Sequence, residues 1–380
     1  MHSVPSSIKN CNYNSTIVLG QGLNVLAMLN TLALLRCKEV SKGSMSEKVV
    51  VALDAMGGDY APLEQVKGAI EAVSEQEDLK VILVGKEDVI KEELAKYSYD
   101  KEKIEIVPAS EVISNNESPT KAIREKKDSS IVVAMKLVKE GRADAVVSSG
   151  CTGAVLVGGQ MIVGRIKGIK RTPLAPLIPT KKGFSLLIDC GANVDARPEH
   201  LVQFAKMGSI YYENVLGKKK PTVGIVNIGA EEEKGNQLVK DTYPLLKECK
   251  DINFIGNVEA RDIPSGDCDV IVTEAFVGNV ILKFMEGLAG TLLGEIKAGF
   301  YSNFRSKMGA LLVKPSLKKV LKQFDVSDQG GAPMLGLNGL VVKAHGNAKS
   351  KETKTALTQC ITFKKQNIKE QFSDFIKKGE

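Results

Sequence analysis

The stretch AVVSSGCTGAVLVGG, residues 145–159, decides the fold, because it joins a strand to a helix through a turn of small residues. Residues 145–147 are apolar and end a buried strand, and the apolar run after Gly153 suits a helix. Glycine lets the backbone approach a ligand, and the first free N–H groups of a helix attract negative charge. The stretch therefore predicts an anion-binding turn, although such turns also serve as packing corners without a ligand.

The same alternation of strand and helix continues from residue 49 to the C-terminus. Short unbroken apolar runs are typical of buried parallel strands, and the segments between them suit helices. Strands are predicted at 49–53, 81–84, 104–107, 145–147, 184–188, 223–227, 254–255, 270–273 and 339–344. This order predicts an α/β fold with a mostly parallel sheet.

Polar residues and glycines collect where six of these strands end. Ligands of parallel sheets bind at the carboxyl ends of the strands, so the six groups predict one shared cleft. The groups are Asp54, Gly57, Gly58 and Asp59; 148–153; Asp189 and Asn193; Asn227; Asn257, Glu259 and Arg261; and Asn279. Asp54 and Asp189 are explained equally well as loop braces or helix caps, and Arg261 with Asp262 as a structural ion pair.

The composition narrows the functional classes. The chain has 380 residues and a formal net charge of +7, which suits acidic partners without establishing nucleic-acid binding. Trp is absent and aromatic residues make up 5%, so no nucleic-acid partner is expected. Seven cysteines without a CxxC pair predict reduced thiols in a cytoplasmic protein. Three histidines without HExxH spacing argue against a zinc site, and no metal is expected.

Residues 1–44 differ in composition from the rest of the chain. The apolar stretch 17–35 carries polar residues, so it is marginal as a membrane span, and it lacks a clean signal-peptide cleavage site. Met45 lies just before the first convincing strand. We therefore expect translation to begin at Met45, the leader 1–44 to lie outside the native fold, and residues 45–380 to form the catalytic domain. A disordered or loosely helical tail is the alternative.

Six segments between residues 53 and 339 form a specific combination. They are LDAMGGDYAP (53–62), VSSGCTGA (147–154), IDCGANVDARPEHLVQFA (188–205), IGNVEARDI (255–263), FVGNVILK (276–283) and GGAPMLGLNG (330–339). In this order they resemble the PlsX family of phosphate acyltransferases, and the resemblance covers essentially residue 49 to the C-terminus. It implies a three-layer αβα fold similar to that of isocitrate and isopropylmalate dehydrogenases and of phosphotransacetylase, with two lobes around a cleft.

The resemblance further implies an enzyme that moves a fatty acyl group from acyl carrier protein to inorganic phosphate. The acyl phosphate product feeds the acylation of glycerol 3-phosphate in bacterial phospholipid (phosphatidic acid) synthesis, and no cofactor is implied. The family forms homodimers that visit the membrane surface. We therefore expect a cytoplasmic protein that associates peripherally with the inner face of the cell membrane and works beside the downstream glycerol-3-phosphate acyltransferase.

Acyl transfer to phosphate asks little of the protein, because the phosphate dianion is already a nucleophile. The site must hold phosphate against the thioester carbon and stabilise the tetrahedral oxyanion, tasks suited to backbone N–H groups and an arginine fork. The expected catalytic residues are Gly150, Cys151, Thr152, Gly153, Asn257, Arg261 and Asn279. The expected substrate-binding residues are Gly57, Gly58, Asp59, Arg124, Asp189, Asn193, Asn227, Lys283 and His345. Lys283 and His345 are also candidate proton donors to the leaving thiolate.

Five positions depart from the family pattern. The family more often has His at Tyr60, Asn at Cys151, Asp-Gly at Glu274-Ala275 and Tyr at Gln329. Cys151 matters most, because a thiol is a poorer hydrogen-bond donor than an amide. A thiol nucleophile with an acyl-enzyme step is an alternative that the family's asparagine disfavours. A membrane-surface scaffold of lipid synthesis that has lost catalysis is a second alternative.

Residues 294–323 predict a basic amphipathic helix pair, because apolar side chains recur at helical spacing among many lysines. The residues expected to contact a membrane or the carrier protein are Phe300, Phe304, Arg305, Lys307, Met308, Lys318 and Lys319. An anionic lipid surface, the acidic carrier protein, a dimer contact and plain core packing are alternative uses of this segment.

Two other enzyme classes share the expected fold. A phosphotransacetylase would use acyl-CoA instead of carrier protein, and residues 276–280, FVGNV, also look like the signature of those enzymes. An NAD-dependent decarboxylating dehydrogenase is disfavoured, because no GxGxxG follows the first strand and no aspartate set for a divalent metal is obvious.

Overall fold

The computed structural model describes residues 48–325, 327 and 329–379. The leader 1–44 and Met45 lie outside the described residues, so the expectation about them stays a prediction. The strands are β1 (Val49–Asp54), β2 (Leu79–Gly85), β3 (Ile104–Pro108), β4 (Ala145–Ser148), β5 (Leu177–Thr180), β6 (Gly183–Ile188), β7 (Thr222–Asn227), β8 (Asn253–Glu259), β9 (Val270–Val272), β10 (Ala332–Met334) and β11 (Leu340–Lys343).

Helices separate most of these strands, as the alternating pattern predicts. They are α1 (Leu63–Glu75), α2 (Glu87–Leu94), α3 (Pro119–Glu125), α4 (Ser130–Lys139), α5 (Thr152–Gly158), α6 (Pro198–Leu216), α7 (Gln237–Glu248), α8 (Ala275–Tyr301), α9 (Phe304–Gln323), α10 (Ser350–Lys365) and α11 (Ile368–Gly379). A π-helical turn, Gly159–Val163, extends α5.

The strands form two sheets. The first has the order β10-β11-β4-β1-β2-β3 and the second the order β5-β6-β9-β7-β8. Every pairing in both sheets is parallel except at β10 and β5, which are antiparallel edge strands. The expectation of an α/β fold with mostly parallel pairing is confirmed, and the strands divide between two sheets.

The first sheet is held by burial of its central strands. Val51, Leu53 and Val81 are fully buried, since helices cover the sheet where these apolar runs have no polar side chain to expose. On one side α1 packs closely on α10: a Cβ on Gly68 would lie 2.6 Å from the Thr353 Cβ. Because β1 and β11 both pair in parallel with β4, the carboxyl ends of these three strands lie side by side.

Two boundaries differ from the sequence prediction and move predicted site residues. The strand expected at 254–255 runs to Glu259, so Asn257 lies inside β8 and not in a loop after it. Helix α8 begins at Ala275, because the Glu274 carboxylate accepts hydrogen bonds from the backbone N–H groups of Phe276 and Val277. Asn279 therefore lies on a helix and not in a turn after β9.

Helices α8 and α9 pack against each other and form a hairpin that is almost entirely exposed. Ala275 and Gly278 are the buried residues of α8, and none is buried in α9. The apolar side chains of the hairpin that are at least one-third exposed include Phe284, Leu292, Tyr301, Phe304, Leu311 and Leu312. Core packing as the use of residues 294–323 is therefore wrong within this chain.

By length and composition alone, α8 is long and apolar enough to cross a membrane, and it is the one described helix that meets this criterion. A single helix of this kind is weak evidence for a span.

Candidate active site

The loops after β1 and β4 touch through two glycines. A Cβ placed on Gly57 would lie 2.5 Å from the Asp54 Oδ2 and 2.7 Å from the backbone nitrogen of Gly150. Neither atom belongs to a flexible side-chain end, because Asp54 is buried and the other atom is main chain. Only glycine fits at position 57, and the two loops that the sequence predicts to share a site are in direct contact.

Asp54 joins the same two loops by hydrogen bonds. The Ser148 hydroxyl donates to the Asp54 Oδ2 at 2.7 Å, and the Met56 N–H donates to the Asp54 Oδ1 at 3.2 Å. The Gly150 N–H in turn donates to the Ser148 Oγ at 3.0 Å. Burial raises the pKa of the Asp54 carboxyl, and the hydrogen bonds it accepts oppose that shift. The buried geometry makes Asp54 a brace of the loops.

The turn after β11 completes this group of loops. The Asp59 N–H donates to the Gly346 carbonyl at 2.8 Å, and Gly58, with φ +100°, lies close to both Ser149 and Gly346. Gln65 is fully buried, and its Nε2 donates to the Gly57 carbonyl at 2.8 Å. The structure thus brings together loops 54–59, 148–153 and 345–347, which we call the three-loop site.

The internal bonds of these loops change which amides can meet an anion. The Gly150 N–H bonds to the Ser148 hydroxyl, so this predicted donor is already used. The amides of Thr152 and Gly153 are the first of α5, where helical N–H groups have no partner within the helix. The donors that the sequence places at 150–153 are therefore best supplied by residues 152 and 153.

Cys151 occupies the N-cap position of α5. Its backbone has φ −51° and ψ 120°, and its side chain makes no capping hydrogen bond. The thiol is half-buried and free of any disulfide. The next glycine, Gly153, packs against Pro119, the first residue of α3. Arg124 lies near the end of α3 and is exposed.

Side chains from α8 and from the turn after β11 lie beside each other at the edge of the three-loop site. The Lys283 Nζ lies 2.7 Å from the Glu286 Oε2, and the His345 Nε2 lies 3.9 Å from the Glu286 Oε1. The two predicted proton donors, from different halves of the chain, therefore share one carboxylate. Helix α8 begins after the second sheet and carries its charges to the first.

Lys343 is the residue that sequence reasoning missed. It ends β11, is half-buried, and has a pKa lowered to about 8, first by burial and then by Lys283, while Cys151, Asp54 and Asp59 oppose that shift. The signal was present in the sequence, because Lys343 is a polar residue at a strand end, as are the members of the six predicted groups.

Asp189 and Asn193 brace a turn of the second sheet. The Asp189 Oδ1 accepts from the N–H groups of Leu174 at 2.9 Å and of Gly191 and Ala192 at 3.1 Å. Its Oδ2 accepts from the Asn193 Nδ2 at 2.7 Å, and burial raises its pKa. With both oxygens used internally and the side chain 0% exposed, Asp189 is built as a structural carboxylate.

The asparagines further along the second sheet are also used internally. The Asn227 Nδ2 donates to the Lys234 carbonyl at 3.0 Å, and its Oδ1 accepts from the Ile228 N–H at 2.8 Å. The Asn257 Nδ2 donates to the Glu231 carbonyl at 2.9 Å, and its buried Oδ1 has no partner in the described part of the chain. No described hydrogen bond of either residue reaches the three-loop site.

Arg261 and Asn279 are exposed in this structure. Arg261 is 77% exposed, and its guanidinium lies 3.2 Å from Glu259 and 3.9 Å from Asp262. It therefore forms surface ion pairs, one of them the pair with Asp262 that the sequence allows. Asn279 follows Gly278, where a Cβ would lie 1.9 Å from the Asp189 carbonyl oxygen, so the start of α8 packs tightly on the Asp189 turn.

Two cavities lie away from the three-loop site. One, of about 410 Å³, is lined by Lys181, Lys182 and Lys322 among others, and one of about 390 Å³ by Ile70, Tyr99 and their neighbours. The loop contacts, the charges and the exposed helix start define the candidate site, and the cavities play no part in it.

The sequence and the fold both have clear relatives. The family model described as "Fatty acid synthesis protein" matches residues 49–371. The phosphate acyltransferase of Clostridium novyi is 51% identical over 318 residues, 84% of this chain and 96% of the relative. That of Clostridium acetobutylicum is 50% identical over 325 residues, 86% of this chain and 98% of the relative.

Solved phosphotransacetylases share the fold. The enzyme from Streptococcus pyogenes has a TM-score of 0.55 at 15% identity, over 83% of this chain and 94% of its own. The EutD enzyme from Staphylococcus aureus has a TM-score of 0.53 at 16% identity, over 83% of this chain and 95% of its own. Because the family model covers most of the chain and the sequence relatives are half identical over nearly their whole length, this chain belongs to the PlsX family of fatty acid synthesis proteins.

Proposed function

We propose that this chain is a phosphate acyltransferase that moves a fatty acyl group from acyl carrier protein to inorganic phosphate. The acyl phosphate then serves bacterial phospholipid synthesis. The family and the names of relatives about 50% identical support acyl transfer to phosphate. The observation that carries the proposal is the three-loop site. There, three strand-end loops are in contact with one another, and the cations Lys283 of α8 and Lys343 of β11 lie beside them.

The geometry suits the reaction. A phosphate oxygen attacks the thioester carbon, the carbon–sulfur bond breaks, and the sulfur leaves as a thiol. The proton that the sulfur gains is balanced by the one that hydrogen phosphate loses on acylation. Backbone N–H groups at the start of α5 stabilise the oxyanion, and a good donor of this kind contributes roughly 3–4 kcal/mol. Lys283 and His345 lie beside Glu286 at the edge of the site, where they can hold the proton for the leaving sulfur.

The experiment tests which acyl donor the enzyme uses. Purified protein is incubated with phosphate and either acyl carrier protein or CoA carrying the same acyl chain, and acyl phosphate is followed by hydroxylamine trapping and ³¹P NMR. We expect product with the carrier-protein thioester. Product with acyl-CoA alone would show a phosphotransacetylase, and no product with either would favour the scaffold alternative.

The α8–α9 hairpin supports further proposals about partners and location. An exposed apolar stripe of this length suits a second copy of the chain, so we propose a homodimer. Its lysines and exposed Phe304 suit a peripheral contact with the inner face of the cytoplasmic membrane, and the acidic carrier protein suits the same positive charge. A transient location there would bring the product to a glycerol-3-phosphate acyltransferase.

Replacing Phe300 and Phe304 by serine is expected to release the protein from phosphatidylglycerol vesicles. Phe304 is 77% exposed, and each buried aromatic ring contributes about 1.5–3 kcal/mol, so the double change should weaken binding more than tenfold. Vesicle sedimentation measures the loss, with circular dichroism as a check on the fold. Leu245→Ser, an exposed apolar residue on α7, is the matched control. Unchanged vesicle binding would remove the membrane role.

Replacing Cys151 by asparagine is expected to stabilise the protein by about 1 kcal/mol. Asparagine caps a helix well, whereas the thiol at this N-cap makes no capping bond. Urea unfolding measures the gain, and the rate of acyl phosphate formation should be unchanged or higher. A complete loss of activity would instead point to a thiol nucleophile, and a very large gain would mean that the native enzyme is impaired.

A further inference from the structure

Lys343 lies at the junction of the strands that build the three-loop site. It is the last residue of β11 and pairs with Ser148 of β4, and the next N–H, of Ala344, donates to the Ser148 carbonyl at 3.0 Å. Parallel pairing puts the carboxyl ends of the two strands at one edge. The side chain of Lys343 therefore leaves β11 beside the residue at which the loop 148–153 begins.

The ammonium group of Lys343 lacks a carboxylate partner. Its Nζ donates to the Ala344 carbonyl, and no carboxylate oxygen lies within 4 Å of it in the described part of the chain. Neighbouring Lys283 differs, since its Nζ lies 2.7 Å from Glu286. A half-buried cation without a counter-ion is costly, so the site is arranged to receive a negative charge.

The charges around Lys343 leave that place open to an anion. Asp54 faces it but is buried, with both carboxylate oxygens accepting internal hydrogen bonds, and Asp59 and Cys151 face it from the other loops. Lys283 adds a second positive charge from α8, with Glu286 and His345 beside it. A tetrahedral dianion is the substrate of this reaction that two cations fit.

We propose that Lys343 is the residue that binds the attacking phosphate, whose negative charge supplies the counter-ion that the free protein lacks. This inference rests on the proposed function, because phosphate is the acyl acceptor there. Lys343 is then a catalytic residue in contact with substrate, and Lys283 is its second cation. The thiol at position 151 would lie beside the bound phosphate.

Proton binding and phosphate binding are linked at this position. Burial holds the pKa of Lys343 at about 8 in the free protein, below its usual 10.5, so the ammonium is half deprotonated near pH 8. Phosphate requires the charged form and stabilises it. Phosphate affinity should therefore fall as pH rises through 8, and the fall should be absent when the side chain is a permanently charged arginine.

The experiment is direct binding of inorganic phosphate, without acyl donor, by isothermal titration calorimetry at several pH values. We expect Lys343→Met to weaken binding at least 30-fold at pH 7, and Lys343→Arg to retain binding with no decline between pH 7.5 and 9. Phosphate should raise the melting temperature of the wild type and of Lys343→Arg, but not of Lys343→Met.

Lys139→Met is the matched control, since this exposed lysine ends α4 on the edge of the sheet where β4 begins. It should bind phosphate as the wild type does. Binding by Lys343→Met that equals the wild type, or a pH decline that persists in Lys343→Arg, would overturn the proposal. Neither result would change whether the wild type forms acyl phosphate. That measurement alone decides the proposed function.

Discussion

Replacing Gly57 by alanine is expected to reduce acyl phosphate formation at least 100-fold. The added methyl would lie 2.5 Å from a buried carboxylate oxygen of Asp54 and 2.7 Å from the backbone nitrogen of Gly150, so the loops after β1 and β4 must separate. A shift of about 1 Å in a reacting group can cost 100-fold in rate. Overpacking at such a contact also lowers the free energy of unfolding by about 1–3 kcal/mol.

The measurements are the initial rate with carrier-protein thioester and the urea unfolding curve of the same preparation. Gly141→Ala is the control, because in the described part of the chain a Cβ at position 141 would meet no atom within 4 Å apart from its own chain neighbours and helix backbone, although φ is +74°. That strain costs about 1 kcal/mol of stability and should leave activity unchanged. Equal activity in both variants would contradict the close approach of the two loops as a requirement for catalysis.

Replacing Asp189 by alanine is expected to cause a large loss of stability. The carboxylate accepts hydrogen bonds from three backbone N–H groups and from the Asn193 side chain, all of which would be left without this acceptor. Unsatisfied buried donors cost about 1–3 kcal/mol each, so we expect the free energy of unfolding to fall by roughly 4 kcal/mol. Urea unfolding at pH 7 measures it.

Asp251→Ala is the control for that experiment. Asp251 is 70% exposed and forms a surface ion pair with Lys206 at 2.9 Å. An exposed pair of this kind contributes less than about 1 kcal/mol, so the control should unfold close to the wild type. A loss for Asp189→Ala as small as the control's would reinstate Asp189 as a solvent-facing ligand of the substrate.

The pH dependence of the Asp189 contribution has a definite sign. Burial raises the pKa of the folded carboxyl above its usual 3.8, so the folded state holds the proton more tightly than the unfolded state. The stability from protonated Asp189 is fully present below pH 3.8 and is lost as pH rises through the folded pKa. Asp189→Asn should lack that decline, which unfolding curves across this window would show.

The sequence was sufficient for nine of the eleven described strands and for the loops that end them, whereas the short antiparallel edge strands β5 and β10 were not among the predicted strands. Short unbroken apolar runs such as residues 49–53 are typical of buried strands, and the small residues after β4 predict the turn there. The division into two sheets depends on long-range pairings such as that of β11 with β4, which leave no mark in local composition. The alternative that Asp54 and Asp189 brace loops could also be predicted, because a carboxylate at a strand end can accept hydrogen bonds from the loop that follows it.

Sequence reasoning missed what depends on atoms distant in the chain. Asn257 was placed in a loop because Gly256 suggests a turn, whereas this glycine, with φ +101°, lies inside β8 where the pairing of β7 with β8 shifts register. Lys343 escaped notice because the predicted strand 339–344 runs past it, and its lack of a carboxylate partner is visible only in three dimensions. Lys283 and His345 were found singly, and Glu286, which joins them, was not.

Helix α8 also fixes a distance. From Lys283 to Tyr301 the helix rises by 18 residue steps, or about 27 Å at 1.5 Å per residue. One leaflet of a bilayer is only about 15 Å of hydrocarbon, the reach of one fatty chain. If the hairpin tip contacts lipid as proposed, with α8 upright on the surface, a fatty chain joined to phosphate beside Lys283 would stop short of the bilayer. The proposal then requires the acyl phosphate to detach from the enzyme before its tail can enter the membrane.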